Sequence, residues 1–237
     1  MLTELLLISN STVFGRGYLD HVADDLHATL GKVRHLLFIP YALHDMESYS
    51  AKAAARFKAL GYELTSIHTV DPKNRRPAVD HAAALFIGGG NTFRLLNALY
   101  RDDLLDVIRA KVLSGTPFIG SSAGSIVAGP TIKTTKDMPI IQPPSFQSLG
   151  IFPYQISPHF LDPDANSKHM GETQEERILQ FLEENTTPVI GLREGSFIRR
   201  SGGAAVLKGP LSARIFRRNA EPVEAGPGTD LIKLLGD

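Results

Sequence analysis

The sequence predicts one α/β domain over residues 1–237, built on a mostly parallel central sheet with helices on both faces and antiparallel strands toward the C-terminal end. Three observations carry that expectation. Short, wholly apolar runs alternate with longer stretches whose apolar residues recur at helical spacing. The connections between them are short. Two of the apolar runs end in glycine-rich clusters, at 88–90 and 120–124, and parallel sheets keep their functional loops at the carboxyl ends of strands.

Taken in order, LLLIS (5–9) reads as a buried strand, and Leu19, Val22, Leu26 and Leu30 then share one helical face. HLLFIPYA (35–42) is a second strand, followed by an Ala-rich helix over 48–60 that stops at Gly61. ELTSIHTV (63–70) and AALFIGGG (83–90) are the third and fourth strands. Phe93, Leu96, Leu99, Leu104, Val107 and Ile108 mark one long or broken helix, and TPFIG (116–120) is the next strand. Residues 130–158 lack a helical period and read as loop with short strands. ETQEERILQFLEE (172–184) is a charged amphipathic helix, and SFIRRSGGAAVLKGPLSARIF (196–216) alternates like antiparallel edge strands.

Composition narrows the function. Hydrophobic residues make up 43% and charged residues 21% of the 237, enough for a packed core. Lys plus Arg and Asp plus Glu both number 25, so the formal net charge is zero and no nucleic-acid partner is implied. The chain has no cysteine, which excludes disulfides, thiolate metal sites and a cysteine nucleophile. Its first residues, MLTELLLISNSTVFG, lack a basic leader and carry Glu4, so they read as a strand rather than a signal peptide. No stretch approaches the roughly 20 apolar residues of a membrane span. A cytoplasmic protein is expected, without membrane contact, and a monomer and a small homodimer both remain open.

The chemistry sits in the two glycine clusters. Gly120-Ser121-Ser122-Ala123-Gly124 fits G-x-S-x-G, the pattern that holds a serine on a sharp strand-to-helix turn. A Gly/Ser turn without chemistry gives the same letters, but a strand lies directly before the cluster and a small-residue helix (SAGSIVAG) follows it. The pattern selects Ser122. A serine hydroxyl needs a base to take its proton, and only His159 and His169 of the eight histidines lie downstream. His159 follows a strand-like run in QISPHF, whereas His169 lies in the polar stretch ANSKHMGE. Ala123 supplies one N–H for an oxyanion, and the loop IGGGNTF (87–93) is suited to supply a second. That loop is neither a dinucleotide fingerprint, because Phe93 stands where its third glycine would fall, nor a Walker loop. It also reads as a helix start capped by Asn91 or Thr92.

GGGNTF, FIGSSAG, PTIKTTKDMPI (130–140), ISPHF with the later GET, and GLREGS (191–196) together resemble peptidase E, the cytoplasmic α-aspartyl dipeptidases of the serine-peptidase family that also contains cyanophycinase. The similarity runs from ISNST to PVEAG, almost the whole chain, and implies a fold like that of class I glutamine amidotransferases and flavodoxins. It further implies Ser122 as nucleophile, His159 as base, and Gly90 and Ala123 as oxyanion donors. Two acids match family positions: Glu194 is expected to be the direct partner of His159, with Asp137 supporting the site or binding substrate. Asn91 and Gln174 are expected to contact the substrate. The implied reaction is hydrolysis of Asp-Xaa dipeptides through an acyl-enzyme, with no metal or cofactor. At Gln174 this chain departs from well-known bacterial members, which carry an arginine just after GET, and its preceding loop is one residue longer. Lys168, His169, Arg177 and Arg193 are candidate cations in its place.

Other readings stay open on the sequence. A cyanophycinase-like or isoaspartyl exopeptidase would use the same residues on β-linked substrates. An α/β-hydrolase esterase would place its histidine near the C-terminus, where this chain has none after His169. A non-catalytic ligand-binding relative would be expected to have lost one of Ser122, His159, Asp137 or Glu194. With His159 as base, activity is expected to fall as its imidazole protonates.

Overall fold

The computed structural model of the protein describes residues 3–163 and 170–236. Strands β1 (Glu4–Ile8), β2 (His35–Ile39), β3 (Glu63–Ser66), β4 (Leu85–Ile87) and β5 (Phe118–Ser121) alternate with helices α1 (Ala23–Leu30), α2 (Met46–Ala59), α3 (Arg75–Asp80), α4 (Thr92–Arg101) and α5 (Leu105–Leu113). The third strand is shorter than its β-branched sequence suggests, because a single 3-10 turn at Ile67–Thr69 replaces its second half. Phe93 to Ile108 is two helices, separated at Asp103, whose φ of 53° no helix accommodates. Helix α6 (Ala123–Ala128) leaves β5 directly, as the small residues after Ser122 predict.

Past α6 come β6 (Gln155–Pro158), α7 (Gln174–Glu184), β7 (Val189–Leu192), β8 (Phe197–Ser201), β9 (Ala204–Lys208), β10 (Ala213–Phe216), β11 (Val223–Ala225) and α8 (Leu231–Leu235). The main sheet has the order β3-β2-β4-β5-β1-β8-β9. Its first five strands are parallel, and β8 and β9 form an antiparallel edge. Every central strand is buried on both faces. Leu5, Leu7, Leu37, Ile39, Leu85 and Ile87 point toward α4 and α5, and Leu6, Ile8, Leu36, Phe38 and Phe86 point toward α1 and α2. That two-sided burial is why these strands read as continuous apolar runs. On the second face Phe38 and Phe57 pack on Phe86 with ring centroids 4.9 and 5.2 Å away.

A second sheet, β11-β10-β7-β6, was not expected from the sequence. The predicted C-terminal antiparallel strands therefore divide, β8 and β9 extending the main sheet and β10 joining the second one. Helix α7 packs on it through Ile178 and Leu182, against Phe160, Val189 and Phe216. Strands β6 and β7 run parallel with Pro158 opposite Leu192, so the loops leaving both emerge side by side. The two sheets meet at the end of β1, where the Ser9 hydroxyl donates to the carbonyl of Leu192, the last residue of β7, at 2.8 Å. Among the described residues no helix is long and apolar enough to cross a membrane.

Candidate active site

Ser122 occupies the single residue between β5 and α6, with φ 51° and ψ −109°. A non-glycine residue pays a strain cost of the order of 1–3 kcal/mol in such a conformation, and such residues cluster at functional sites. Its N–H donates to Ile8 O at 2.9 Å, which ties the turn to the neighbouring strand. The flanking glycines make the turn possible: a Cβ on Gly124 would stand 2.1 Å from Ile87 O, and one on Gly120 2.6 Å from Gly124 O. The neighbouring serines are not presented to solvent. Ser121 is fully buried, and Ser125 Oγ donates to Ile8 O at 2.8 Å and Gly120 O at 2.9 Å.

Ser122 Oγ lies 3.0 Å from His159 Nε2, and His159 Nδ1 lies 2.6 Å from Glu194 Oε1. The second sheet produces this line, since His159 is the first residue after β6 and Glu194 the second after β7. The His159 and Glu194 side chains are 41% and 54% exposed, so water screens their attraction and the contact serves mainly to orient the ring. Two residues at the end of β1 hold the line in place. Ser9 Oγ accepts the His159 N–H at 2.9 Å and donates to Leu192 O at 2.8 Å. Asn10 Oδ1 accepts the Gly195 N–H at 2.7 Å, fixing the turn after Glu194. Sequence reasoning assigned neither a role, because two polar residues after an apolar strand carry no mark of the turns the fold sets opposite them.

The loop after β4 lies beside this line; a Cβ on Gly89 would stand 3.0 Å from that of Ser122. The Gly88, Asn91 and Gly89 N–H groups donate to Ile39 O, Ala42 O and the Tyr49 hydroxyl, and Thr92 N–H donates to Asp137 Oδ2 at 2.7 Å. Gly90 alone of residues 88–92 has an N–H without an acceptor among the described residues. Ala123 opens α6, so its N–H has no carbonyl to reach within its own helix. Burial raises the pKa of Tyr49, which keeps that hydroxyl protonated where it braces Gly89. Asp137 does not touch His159. Its Oδ2 accepts from Thr92 N, Thr92 Oγ1 at 2.5 Å and Thr135 Oγ1 at 3.1 Å, which pins the start of α4.

These groups open on a cleft of about 690 Å3 lined by residues of the 10–12 loop, α2, the glycine loop, Ser122, Asp137, His159 and Glu194. Asn91 and Gln174, the two residues expected to contact substrate, do not line this cleft. Asn91 caps α4 by accepting from Arg94 N at 3.0 Å and gives its amide hydrogen to Met138 O at 2.8 Å, the capping role its place in the loop also allowed. Gln174 faces a separate cavity of about 70 Å3 behind the histidine turn, where its Oε1 accepts from Lys136 and Leu161 N. Of the cations considered in its place, Arg193 is held by Asp162 and Glu224, and its guanidinium keeps the Asp162 carboxyl below its ordinary pKa. Arg177 lines the small cavity and pairs with Glu172 at 3.7 Å, while Lys168 and His169 lie outside the described residues. The one lysine or arginine among the described residues lining the main cleft is Lys52, on α2, with Nζ 4.8 Å from the Tyr18 ring centroid. Sequence reading missed it because an exposed helical lysine looks like any other.

A serine, an imidazole and a carboxylate in line, beside two free N–H groups, can perform acyl transfer through a covalent intermediate. Comparison with known proteins agrees with that chemistry. The model of peptidase family S51 matches residues 5–208. Peptidase E of Streptomyces coelicolor is 50% identical over 98% of this chain and 95% of its own length. A Drosophila melanogaster protein named "Probable alpha-aspartyl dipeptidase" is 44% identical over 98% of this chain and 97% of its own. Among solved structures, a peptidase from an acI-B1 actinobacterium superposes with a TM-score of 0.70 at 19% identity, covering 97% of each chain, which is a likeness of fold.

Proposed function

The chain belongs to peptidase family S51, and from that membership and the geometry of its cleft we propose a serine dipeptidase that releases aspartate from the amino end of Asp-Xaa dipeptides. The observation that carries this reading is the 3.0 Å approach of Ser122 Oγ to His159 Nε2 on a strained turn. In the proposed reaction Ser122 Oγ attacks the peptide carbonyl as its proton passes to His159 Nε2. Glu194 holds the Nδ1–H and stabilises the imidazolium. The carbonyl oxygen gathers negative charge against the N–H groups of Gly90 and Ala123. His159 then protonates the departing amine, and water takes the same route in reverse to free aspartate and Ser122.

The substrate carries two charges at its amino end, and the cleft offers a partner for each. Asp137 Oδ1 takes none of the bonds made to Oδ2, which leaves it for the α-ammonium. Lys52 supplies the cation for the side-chain carboxylate, the part left unassigned by Gln174. A charge-assisted hydrogen bond contributes about 1.5–3 kcal/mol. Lys52→Met is therefore expected to raise KM for Asp-Leu roughly ten-fold or more while leaving the weaker binding of Asn-Leu unchanged. Equal effects on both substrates would remove Lys52 from recognition.

Labelling with a serine-directed aryl phosphonate tests the nucleophile independently of substrate choice. Wild type is expected to gain one adduct, mapped by peptide mass to Ser122, and His159→Ala to gain it far more slowly. A folded protein that resists the probe would favour a ligand-binding role without turnover.

A further inference from the structure

The turn that carries Asp137 also carries Lys136, and the two side chains reach toward different halves of the site. Asp137 grips the start of α4, just behind Gly90. Lys136 Nζ donates to the carbonyls of Pro158 at 2.6 Å and His159 at 3.0 Å, and to Gln174 Oε1 at 3.1 Å. Gln174 Oε1 also accepts the Leu161 N–H at 3.0 Å, so lysine and glutamine together clasp residues 158–161. The clasped turn is an unusual one, with His159 at φ 52°, a left-handed conformation that few non-glycine residues adopt. The three N–H bonds of an ammonium meet three acceptors here, with none to spare.

We propose that Lys136 is a positioning residue for the reaction, a cation that locks the His159 turn at its working distance from Ser122 and the glycine loop. The proposal rests on the reading of Ser122 and His159 as the reacting pair. Lys136 as a whole residue is exposed, but the protein around its ammonium lowers the pKa to about 8, mainly by burial. Arg177 adds to the lowering, and Asp137 and Glu194 oppose it. Above that pH the neutral amine keeps two N–H bonds and turns a lone pair toward the third oxygen. Activity therefore falls as pH rises through about 8. The fold does not weaken with it: a lysine with a lowered folded pKa adds stability as pH rises from that value toward its unfolded one.

Asp-Leu hydrolysis, phosphonate labelling rate and melting temperature, each followed from about pH 7 to 9.5, test the proposal on wild type, Lys136→Met and Lys136→Arg. Wild type is expected to lose both rates above about pH 8 without a matching drop in melting temperature. Lys136→Met should lower kcat roughly ten- to a hundred-fold with KM little changed, and its labelling, which involves no substrate ammonium, should lack the alkaline limb. Lys136→Arg should retain most of kcat and carry it to higher pH. A Met variant whose labelling keeps the wild-type limb, or one changed only in KM, overturns the role. If the Met variant does not fold, an alkaline limb left unmoved in the Arg variant overturns it equally. An alkaline limb in labelling alone, with Asp-Leu untouched, upholds the lysine's role and counts against the substrate assignment; wild type that is neither labelled nor active overturns both.

Discussion

Ser122→Ala is expected to lower kcat/KM for Asp-Leu by about 10^4- to 10^6-fold while leaving the fold intact. Alanine removes the attacking oxygen but fills the same small space, and its N–H still reaches Ile8 O. The residual rate comes from the N–H pair and from binding, neither of which the substitution touches. On the proposal that Ser122 and His159, 3.0 Å apart, act as one unit, Ser122→Ala/His159→Ala should be no slower than Ser122→Ala alone. Kinetics on the three variants, with melting curves to confirm folding, check this. Multiplying losses in the double variant, or a serine variant within ten-fold of wild type, would dissolve the unit.

Gly90→Ala is the second large effect. Gly90 has φ 136°, which glycine alone adopts readily, and a Cβ there would stand 2.6 Å from Ala42 O and 2.7 Å from Leu43 Cδ2. Backbone lies on one side of the new methyl, so relief must come from rotation or displacement of the Gly90 peptide itself. That movement takes its N–H away from the place proposed for the oxyanion. Loss of one such donor lowers kcat by about 10^2- to 10^3-fold, and KM should change little because the ground-state carbonyl leans on it less. The fold should lose about 1–3 kcal/mol at the same time, from the strain alone. Urea unfolding and steady-state kinetics separate the two effects. A stable variant with full kcat would assign the donor elsewhere.

Much of this protein was legible in its letters, and the reason is physical. A parallel sheet buried on both faces forces runs such as LLLI and LFI, and the turn at Ser122 forces Gly120 and Gly124, because a Cβ on either would strike backbone. Those features are local and leave local marks. The second sheet leaves none: β6 and β7 are four residues each, and their pairing is decided by contacts made 34 residues apart. Without that sheet the placing of Glu194, rather than Asp137, beside His159 cannot be derived from spacing, and it came through resemblance. Gln174 is the converse case. Its position in the chain suggested the cleft, whereas its side chain turns behind the histidine to accept from Lys136. Lys52, Ser9 and Asn10 were passed over because a helical lysine and two strand-end polar residues acquire meaning only from what the fold sets opposite them.

The measurement to make is release of free aspartate by wild-type protein from Asp-Leu, with β-Asp-Leu and Ala-Leu alongside at equal concentration. Rapid release from Asp-Leu, with the other two left essentially intact, is the predicted result. Folded, phosphonate-reactive protein that prefers β-Asp-Leu would contradict the α-linked specificity and point to isoaspartyl or cyanophycinase-like chemistry in the same cleft. Protein that leaves all three intact would contradict the dipeptidase assignment itself.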